Sequence, residues 1–310
     1  MNILMVNNLS AGIGEPSLYD YVAELGAHGA EVTMRFLDST SNLDHLLRDA
    51  RGYDRVVAVG GDGTVSSIAY ALRDTRVPLL TYPAGTANLL VRNLRLPVDP
   101  VALARLTIAG RTASIDLGEL FLPSAGQEPA QRLGFAVAAG AGFDASIMNS
   151  AASMKGAIGE TAYIVAALQN LAPRVAEFML EFEDRTVLTD GIAVLIVNLG
   201  HIQFDLALTH GSSPQDGLLE VIVVRARSAA GLLPTVLAAM RDKVVPFPHR
   251  PGLETYSATR VRVVARPDLP IESDGETYTR MTPIEARVLP GAARLIVGEE
   301  CPFETELLTE

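Results

Sequence analysis

Short apolar runs alternate with helical patterns through the first part of the chain, and this alternation constrains the fold more than any other feature. Apolar runs at residues 3–6, 32–37 and 56–59 are separated by helical patterns at residues 17–28 and 43–51. A further helical pattern at 66–73, an extended run at 78–82 and a helical pattern at 86–93 follow. Strands that alternate with helices predict an open parallel sheet.

After about residue 116 the pattern changes to strands of period two, at residues 135–139, 175–182, 191–198, 218–224 and 261–265. Two helical stretches, 155–171 and 229–240, interrupt them. The tail repeats the strand pattern at 285–288 and 294–297, and we expect it to return in part to the first domain. The fold class is therefore α/β plus β, with an open α/β domain at residues 1–122, a β domain at 123–289 and a returning tail at about 290–310.

Length and charge exclude several classes of protein. At 310 residues the chain exceeds what one hydrophobic core usually serves, and 48% hydrophobic residues predict a folded protein. A net charge of −11 argues against nucleic acid as a partner.

The single cysteine, Cys301, and the absence of a signal-like start predict a cytoplasmic location. No apolar run reaches the ~20 residues that a membrane-spanning helix needs.

A glycine-dense turn follows the apolar run at residues 56–59 and precedes a helical pattern. Its sequence is Gly60-Gly61-Asp62-Gly63-Thr64. Ligands bind at the carboxyl ends of strands in open α/β sheets, and glycines let backbone amides approach an anion closely. Asp62 could orient hydrated Mg²⁺ beside phosphates. The alternative is an ordinary tight turn with Thr64 as helix N-cap.

A second glycine turn, at residues 83–88, also follows an apolar strand and precedes a helix. It should open on the same edge of the sheet, where two such turns could clamp one ligand. Its alternative interpretation is a routine strand-to-helix connection with Thr86 as N-cap. Together the two turns favour a nucleotide-phosphate site.

These motifs and several others occur in the order typical of one family. They are Asn7 to Gly12, Gly60 to Thr64, Gly85 to Asn88, Ile115-Asp116-Leu117-Gly118, residues 141–145, Lys155-Gly156 with Ala162-Tyr163, residues 216–221 and Asp274-Gly275-Glu276. Because its motifs occur in this order, the chain resembles the diacylglycerol kinase catalytic family, which includes sphingosine kinases and bacterial lipid kinases. The resemblance covers nearly the whole chain.

The resemblance implies an N-terminal α/β domain like that of NAD kinases and a C-terminal β-sandwich. It also implies an ATP site with Mg²⁺ at Asp62, and Asp116 joining that acidic network. The residues implied to contact ATP are Asn7, Asn8, Leu9, Ser10, Ala11, Gly60, Gly61, Asp62, Gly63, Thr64, Val65, Ser66, Gly85, Thr86 and Asn88.

Two further sites follow from the resemblance. Glu276 matches the general base that accepts the proton of the incoming hydroxyl, although residues 274–276 alone would also suit a type I′ hairpin with a solvated Glu276. A structural Mg²⁺ would be held by the Asp216 side chain with the carbonyls of Ser213 and Leu218. The alternative there is a plain Asp-Gly turn before a strand.

The predicted activity is transfer of the γ-phosphate of ATP to diacylglycerol or a similar lipid alcohol, with transient peripheral contact at the inner face of the membrane. The chain departs from the family pattern at two places. Leu89 stands where the family often has an Asp, and we expect the ATP site to survive this change. Residues 199–204, in a region that the resemblance associates with the acceptor cleft, lack a glycine-rich stretch. An NAD kinase-type enzyme and a non-catalytic lipid-binding protein of the same fold remain alternatives, and a homodimer is left open.

Overall fold

The computed structural model describes residues 1–11, 16–38, 40–126, 128–142, 174–202, 206–207, 212–225 and 252–308. These residues form two compact units. Unit 1 comprises Met1–Leu117 and Leu289–Glu310, and unit 2 comprises Gly118–Val288. The helices predicted at 155–171 and 229–240 lie outside the described residues.

The helices of the described part are α1 (Pro16–Ala27), α2 (Leu43–Leu47), α3 (Asp62–Leu72), α4 (Leu89–Asn93) and α5 (Pro100–Ala109), with a 3₁₀ turn at Ala50–Gly52. The strands are β1 (Asn2–Asn8), β2 (Glu31–Leu37), β3 (Arg55–Gly60), β4 (Leu79–Pro83), β5 (Arg111–Leu122), β6 (Gln131–Phe135), β7 (Ala138–Ala141), β8 (Ala176–Glu181), β9 (Thr186–Gly191), β10 (Ala193–Val197), β11 (His201–Ile202), β12 (Leu206–Ala207), β13 (Leu219–Val224), β14 (Leu253–Ala258), β15 (Arg260–Arg266), β16 (Pro270–Ser273), β17 (Glu276–Met281), β18 (Ile284–Val297) and β19 (Glu306–Leu307). No helix within these described ranges is both long and apolar enough to cross a bilayer.

Unit 1 is built on a parallel sheet of order β2-β1-β3-β4-β18. β1 lies between β2 and β3, so that Ile3 pairs with both Val32 and Arg55. Every residue of β3 is buried, which explains its continuous apolar run. The predicted open parallel sheet is confirmed.

Unit 2 is antiparallel. One sheet of order β14-β13-β10-β7-β16-β17 faces a second group in which β15 pairs with β8 and with the first residues of β18. Apolar side chains from both groups form one core cluster, which includes Phe135, Phe178, Val194, Val221 and Val263. The predicted β-sandwich is confirmed.

The local boundaries differ from the sequence pattern at the helices that follow the glycine turns. The helix expected at 66–73 begins four residues earlier, at Asp62, because the glycine turn forms its first turn. The helix expected at 86–93 begins only at Leu89, since Asn88 before it has the left-handed backbone (φ 47°). α5 was not predicted, although Asp99 caps it at Ala102 N (2.8 Å) and Pro100 opens it.

Candidate active site

The first glycine turn ends β3 and becomes the N-terminus of α3. Gly61 is the N-cap, and the first bond of the helical ladder runs from Val65 N to Gly61 O (3.1 Å). The backbone N–H groups of Asp62, Gly63 and Thr64 therefore precede that ladder, and such donors favour an anion. Thr64 lies inside the helix, so the alternative with Thr64 as N-cap is wrong.

The second glycine turn lies against the first. β3 and β4 are parallel neighbours, with Gly60 opposite Pro83, and Ala84 N donates to Gly60 O (3.2 Å). A Cβ at Gly85 would lie 2.5 Å from the Gly61 Cα. The predicted opening of both turns on one edge of the sheet is confirmed, and the contact between them requires glycine.

Asn88 shapes the second turn. Its side-chain Oδ1 accepts from Gly85 N (3.0 Å) and its Nδ2 donates to Gly85 O (2.8 Å), so one side chain closes the loop. Asn88 is also the N-cap position of α4, whereas Thr86 is exposed. The alternative with Thr86 as N-cap is therefore wrong.

Asp62 connects the two turns. Its carboxylate accepts from Leu89 N (3.0 Å) and from Leu90 N (2.9 Å), and so caps α4 from outside that helix. Burial raises the pKa of this carboxyl, while the N–H groups of Leu90 and Leu89 act in the opposite direction. Asp62 thus has a structural task that its position after two glycines did not reveal, and its role at Mg²⁺ stays a prediction.

The end of β1 reaches the same edge of the sheet. Asn8 Nδ2 donates to Thr64 Oγ1 (2.7 Å), which ties the loop after β1 to the first turn of α3. Within that loop, Ser10 N donates to Asn8 Oδ1 (2.9 Å) and Ala11 N donates to Asn8 O (3.0 Å). The structure therefore brings together the three segments expected to contact ATP, although contact with ATP stays a prediction.

Asp116 lies on β5 and is 2% exposed. Its Oδ1 accepts from Gly291 N (2.7 Å), where Gly291 has a positive φ of 57°. This contact holds Gly291, which has a left-handed backbone, against β5 within unit 1. The predicted acidic network of Asp116 with Asp62 stays a prediction.

The turn at Asp274 joins β16 and β17 in unit 2. Asp274 (φ 46°) and Gly275 (φ 84°) are the two loop residues between the paired residues Ser273 and Glu276, as in a type I′ hairpin. The hairpin alternative is thus correct for the backbone, and Glu276 is exposed at the start of β17. Its role as a base stays a prediction.

The Asp274 side chain anchors that hairpin, which the sequence pattern did not suggest. Its carboxylate accepts from the backbone N–H groups of Ala136 (2.8 Å), Val137 (3.0 Å) and Ala138 (2.9 Å). Three bonds to a charged acceptor hold the turn that carries Glu276 against the segment before β7. An Asp-Gly pair signals a turn but does not reveal a partner 136 to 138 residues away.

The candidate structural Mg²⁺ site lies before β13. Leu218 N donates to Asp216 Oδ1 (2.9 Å), Asp216 N donates to Ser213 O (3.4 Å), and Gly217 has a φ of 73°. This geometry is that of the Asp-Gly turn named as the alternative. No group of three or more His, Cys, Asp or Glu within the described ranges could hold a metal, so the ligands Ser213, Asp216 and Leu218 stay a prediction.

The sequence matches two family models. Residues 2–120 match the diacylglycerol kinase catalytic domain, and residues 137–297 match the YegS C-terminal NAD kinase beta sandwich-like domain. The first match contains the glycine turns, and the second contains Asp216 and Glu276.

Two relatives match the chain over nearly their whole length. A diacylglycerol kinase of Mycobacterium tuberculosis is 27% identical over 310 residues, covering 94% of this chain and 93% of the relative. The protein named "Probable lipid kinase YegS-like" of Pectobacterium atrosepticum is 28% identical over 317 residues, covering 97% of both chains.

Solved structures share the fold. A diacylglycerol kinase from Bacillus anthracis superposes with a TM-score of 0.70 at 18% identity, covering 96% of this chain and 97% of the other. Yeast NADH kinase superposes with a TM-score of 0.51 at 10% identity, covering 97% of this chain and 84% of the other. These likenesses show the fold, and the two family models show that the chain belongs to the diacylglycerol kinase catalytic family and carries a YegS C-terminal β-sandwich-like domain.

Proposed function

We propose that this chain is an ATP-dependent lipid kinase that transfers the γ-phosphate of ATP to the hydroxyl of diacylglycerol or a similar lipid alcohol. The observation that carries the proposal is the contact between the two glycine turns, Gly60–Gly61 and Gly85, at the N-terminus of α3. This arrangement places the first N–H groups of α3, which precede its hydrogen-bond ladder, next to a contact between glycines. Phosphoryl groups need such donors at close range.

ATP would lie along the edge formed by the loop after β1 and the two glycine turns. The N–H groups of Gly63 and Thr64 would donate to phosphate oxygens. The Asn8–Thr64 bond (2.7 Å) would keep the loop of residues 7–11 next to them. The residue types fit a phosphate group because Gly60, Gly61, Gly63 and Gly85 have no side chains to keep a phosphate away from the backbone.

Mg²⁺ also fits this edge. The Asp62 carboxylate accepts from the N–H groups of Leu89, Leu90 and Asp62 itself, and a carboxylate has about four acceptor positions in all. Mg²⁺ at nucleotide sites is commonly bound by one or two carboxylates together with phosphate oxygens. Asp62 would hold the ion, which would neutralise phosphate charge. The N–H groups of Leu89 and Leu90 would hold the carboxylate in a fixed orientation.

Glu276 would accept the proton of the lipid hydroxyl. An exposed carboxylate is available for such a task, and the three bonds made by Asp274 restrict the position of its turn. The family membership supports a lipid acceptor, since the relatives carry the names diacylglycerol kinase and lipid kinase. The likeness to NADH kinase concerns the fold alone.

The acceptor is tested with γ-labelled ATP, Mg²⁺ and a panel of diacylglycerol, sphingoid bases, phosphatidylglycerol and NAD. We expect label in a lipid product and none in NAD. Label in NAD alone would replace the proposal with a nucleotide kinase. Stoichiometric lipid binding without label in any acceptor would instead favour a non-catalytic lipid-binding protein.

The glycine contact gives a prediction of its own. In Gly85→Ala the added methyl would meet the Gly61 backbone at 2.5 Å, so the two turns must separate. Overpacking of this kind typically destabilises by about 1–3 kcal/mol. We expect ATP affinity to fall by roughly tenfold or more, which corresponds to about 1.4 kcal/mol.

Isothermal titration calorimetry with ATP and Mg²⁺ measures this affinity. Gly26→Ala is the matched control, since a Cβ at Gly26 meets nothing within 4 Å. Unchanged ATP affinity in Gly85→Ala would show that the contact between the turns does not form the nucleotide site.

A further inference from the structure

A cavity of about 470 Å³ lies in unit 1 at the C-terminal end of α3. This volume is within the range of sites that hold small ligands. The glycine turns lie at the other end of the same helix, which spans 11 residues, or about 16 Å. The cavity is therefore separate from the candidate nucleotide site.

Arginines dominate the charge of this cavity. Arg73, Arg76 and Arg294 line it, together with a single acidic residue, Glu306. The chain as a whole carries a net charge of −11, so a concentration of positive charge runs against its composition. Clustered arginines create a local potential that attracts anions.

Two of these guanidinium groups have unused donors. Arg76 makes no hydrogen bond or ion pair with the described residues, and Arg294 uses only Nε, which donates to Thr112 Oγ1 (3.3 Å). Arg73 differs, because its Nη1 donates to Tyr70 O (2.6 Å) and its guanidinium stacks on the Tyr70 ring. Capping of the C-terminus of α3 thus accounts for Arg73 but not for Arg76 or Arg294.

A fourth arginine stands at the start of β3. Arg55 is 6% exposed, and its buried Nε has no hydrogen-bond partner among the described residues. Its Nη1 donates to Asp54 O (2.8 Å). Burial lowers the pKa of Arg55, the neighbouring Asp54 carboxylate acts in the opposite direction, and the positive charge of Arg294 again lowers it. Arg55 therefore lies close enough to Arg294 for the two positive charges to interact, although it is not part of the cavity lining.

We propose that this cavity binds a dianionic phosphate group. Guanidinium groups match phosphate because their planar N–H donors can form paired, charge-assisted bonds. Arg76 and Arg294 would donate to the phosphate oxygens, and the charge of Arg55 would add to the attraction. The phosphate could belong to a soluble ion or to the headgroup of a phosphorylated lipid, which share this chemistry.

Two probes separate those sources: inorganic phosphate and a short-chain phosphatidic acid below its micelle concentration. Each is titrated calorimetrically into the full chain in low-salt chloride buffer that contains Mg²⁺ and a saturating non-hydrolysable ATP analogue. Arg76→Ala and Arg294→Gln remove donors from the cavity. Arg48→Ala is the control, since it removes one exposed arginine outside the cavity lining.

We expect Arg76→Ala and Arg294→Gln each to weaken binding of at least one probe by roughly tenfold or more, the usual range for a charge-assisted bond. Arg48→Ala should leave binding within about twofold of the parent. Loss confined to phosphatidic acid assigns the site to a lipid headgroup, and loss for both probes assigns it to the phosphate group itself.

Two outcomes would overturn the proposal: binding of neither probe to the parent chain, or equal affinities in the parent and both cavity variants. Because the nucleotide site is filled with the analogue and the comparison depends on Arg76 and Arg294, failure here is distinguishable from failure of the lipid kinase proposal. Circular dichroism of each variant establishes that it is folded.

Discussion

Replacing Glu276 with glutamine should lower kcat for phosphate transfer by about 10² to 10⁴, the usual contribution of a general base. Glutamine keeps the size and hydrogen-bonding shape of the side chain but cannot accept a proton. Because Glu276 is exposed at the start of β17, the substitution should leave the fold and the free energy of unfolding nearly unchanged. Affinity for ATP should also stay the same, since Glu276 belongs to unit 2.

Steady-state kinetics with saturating ATP and lipid measure this effect. Glu183→Gln is a suitable control, because Glu183 is an exposed glutamate of the same unit that lies outside the hairpin. A Glu276→Gln variant with full kcat would remove Glu276 from the mechanism and leave the proton acceptor unassigned.

Replacing Asp274 with alanine should destabilise unit 2 by about 3–5 kcal/mol, because three charge-assisted bonds to backbone N–H groups are lost at once. Ala136 and Val137 are each 1% exposed, so water can replace the lost acceptor only in part. Activity should fall as well, since the turn that carries Glu276 would lose its anchor.

The variant Asp274→Asn tests how much of this stabilisation depends on the negative charge of the side chain. Asparagine keeps one acceptor oxygen, and in the native carboxylate Oδ1 alone accepts from both Val137 and Ala138. We expect an intermediate loss of stability in urea unfolding, smaller than that of the alanine variant. An alanine variant as stable as the parent would show that these three bonds contribute nothing measurable.

The sequence pattern predicted the parallel sheet well because the residues that a buried strand contributes to the core follow one another in the sequence. β3 is buried at every residue, and its uninterrupted apolar run could be read directly. The glycine turns were likewise recognisable, since backbone contact between Gly61 and Gly85 tolerates no side chain. These features depend on neighbours within one or two elements.

The roles of Asp62 and Asp274 could not be predicted in the same way. Asp62 bonds to Leu89 and Leu90, 27 and 28 residues away, and Asp274 bonds across more than 130 residues. In the sequence, a carboxylate beside glycine indicates a ligand-binding residue or a turn residue. The local pattern does not reveal whether that carboxylate also holds a distant segment of backbone through hydrogen bonds. The left-handed backbone of Asn88 similarly shortened a helix that the apolar pattern extended.

The measurement that tests the lipid kinase proposal most directly is the ratio of kcat/KM for diacylglycerol to kcat/KM for NAD, both with γ-labelled ATP and Mg²⁺. We expect transfer to diacylglycerol in mixed micelles, abolished by omitting Mg²⁺ and reduced in Gly85→Ala and in Glu276→Gln. Label that appears in NAD while diacylglycerol stays unlabelled would contradict the lipid kinase proposal.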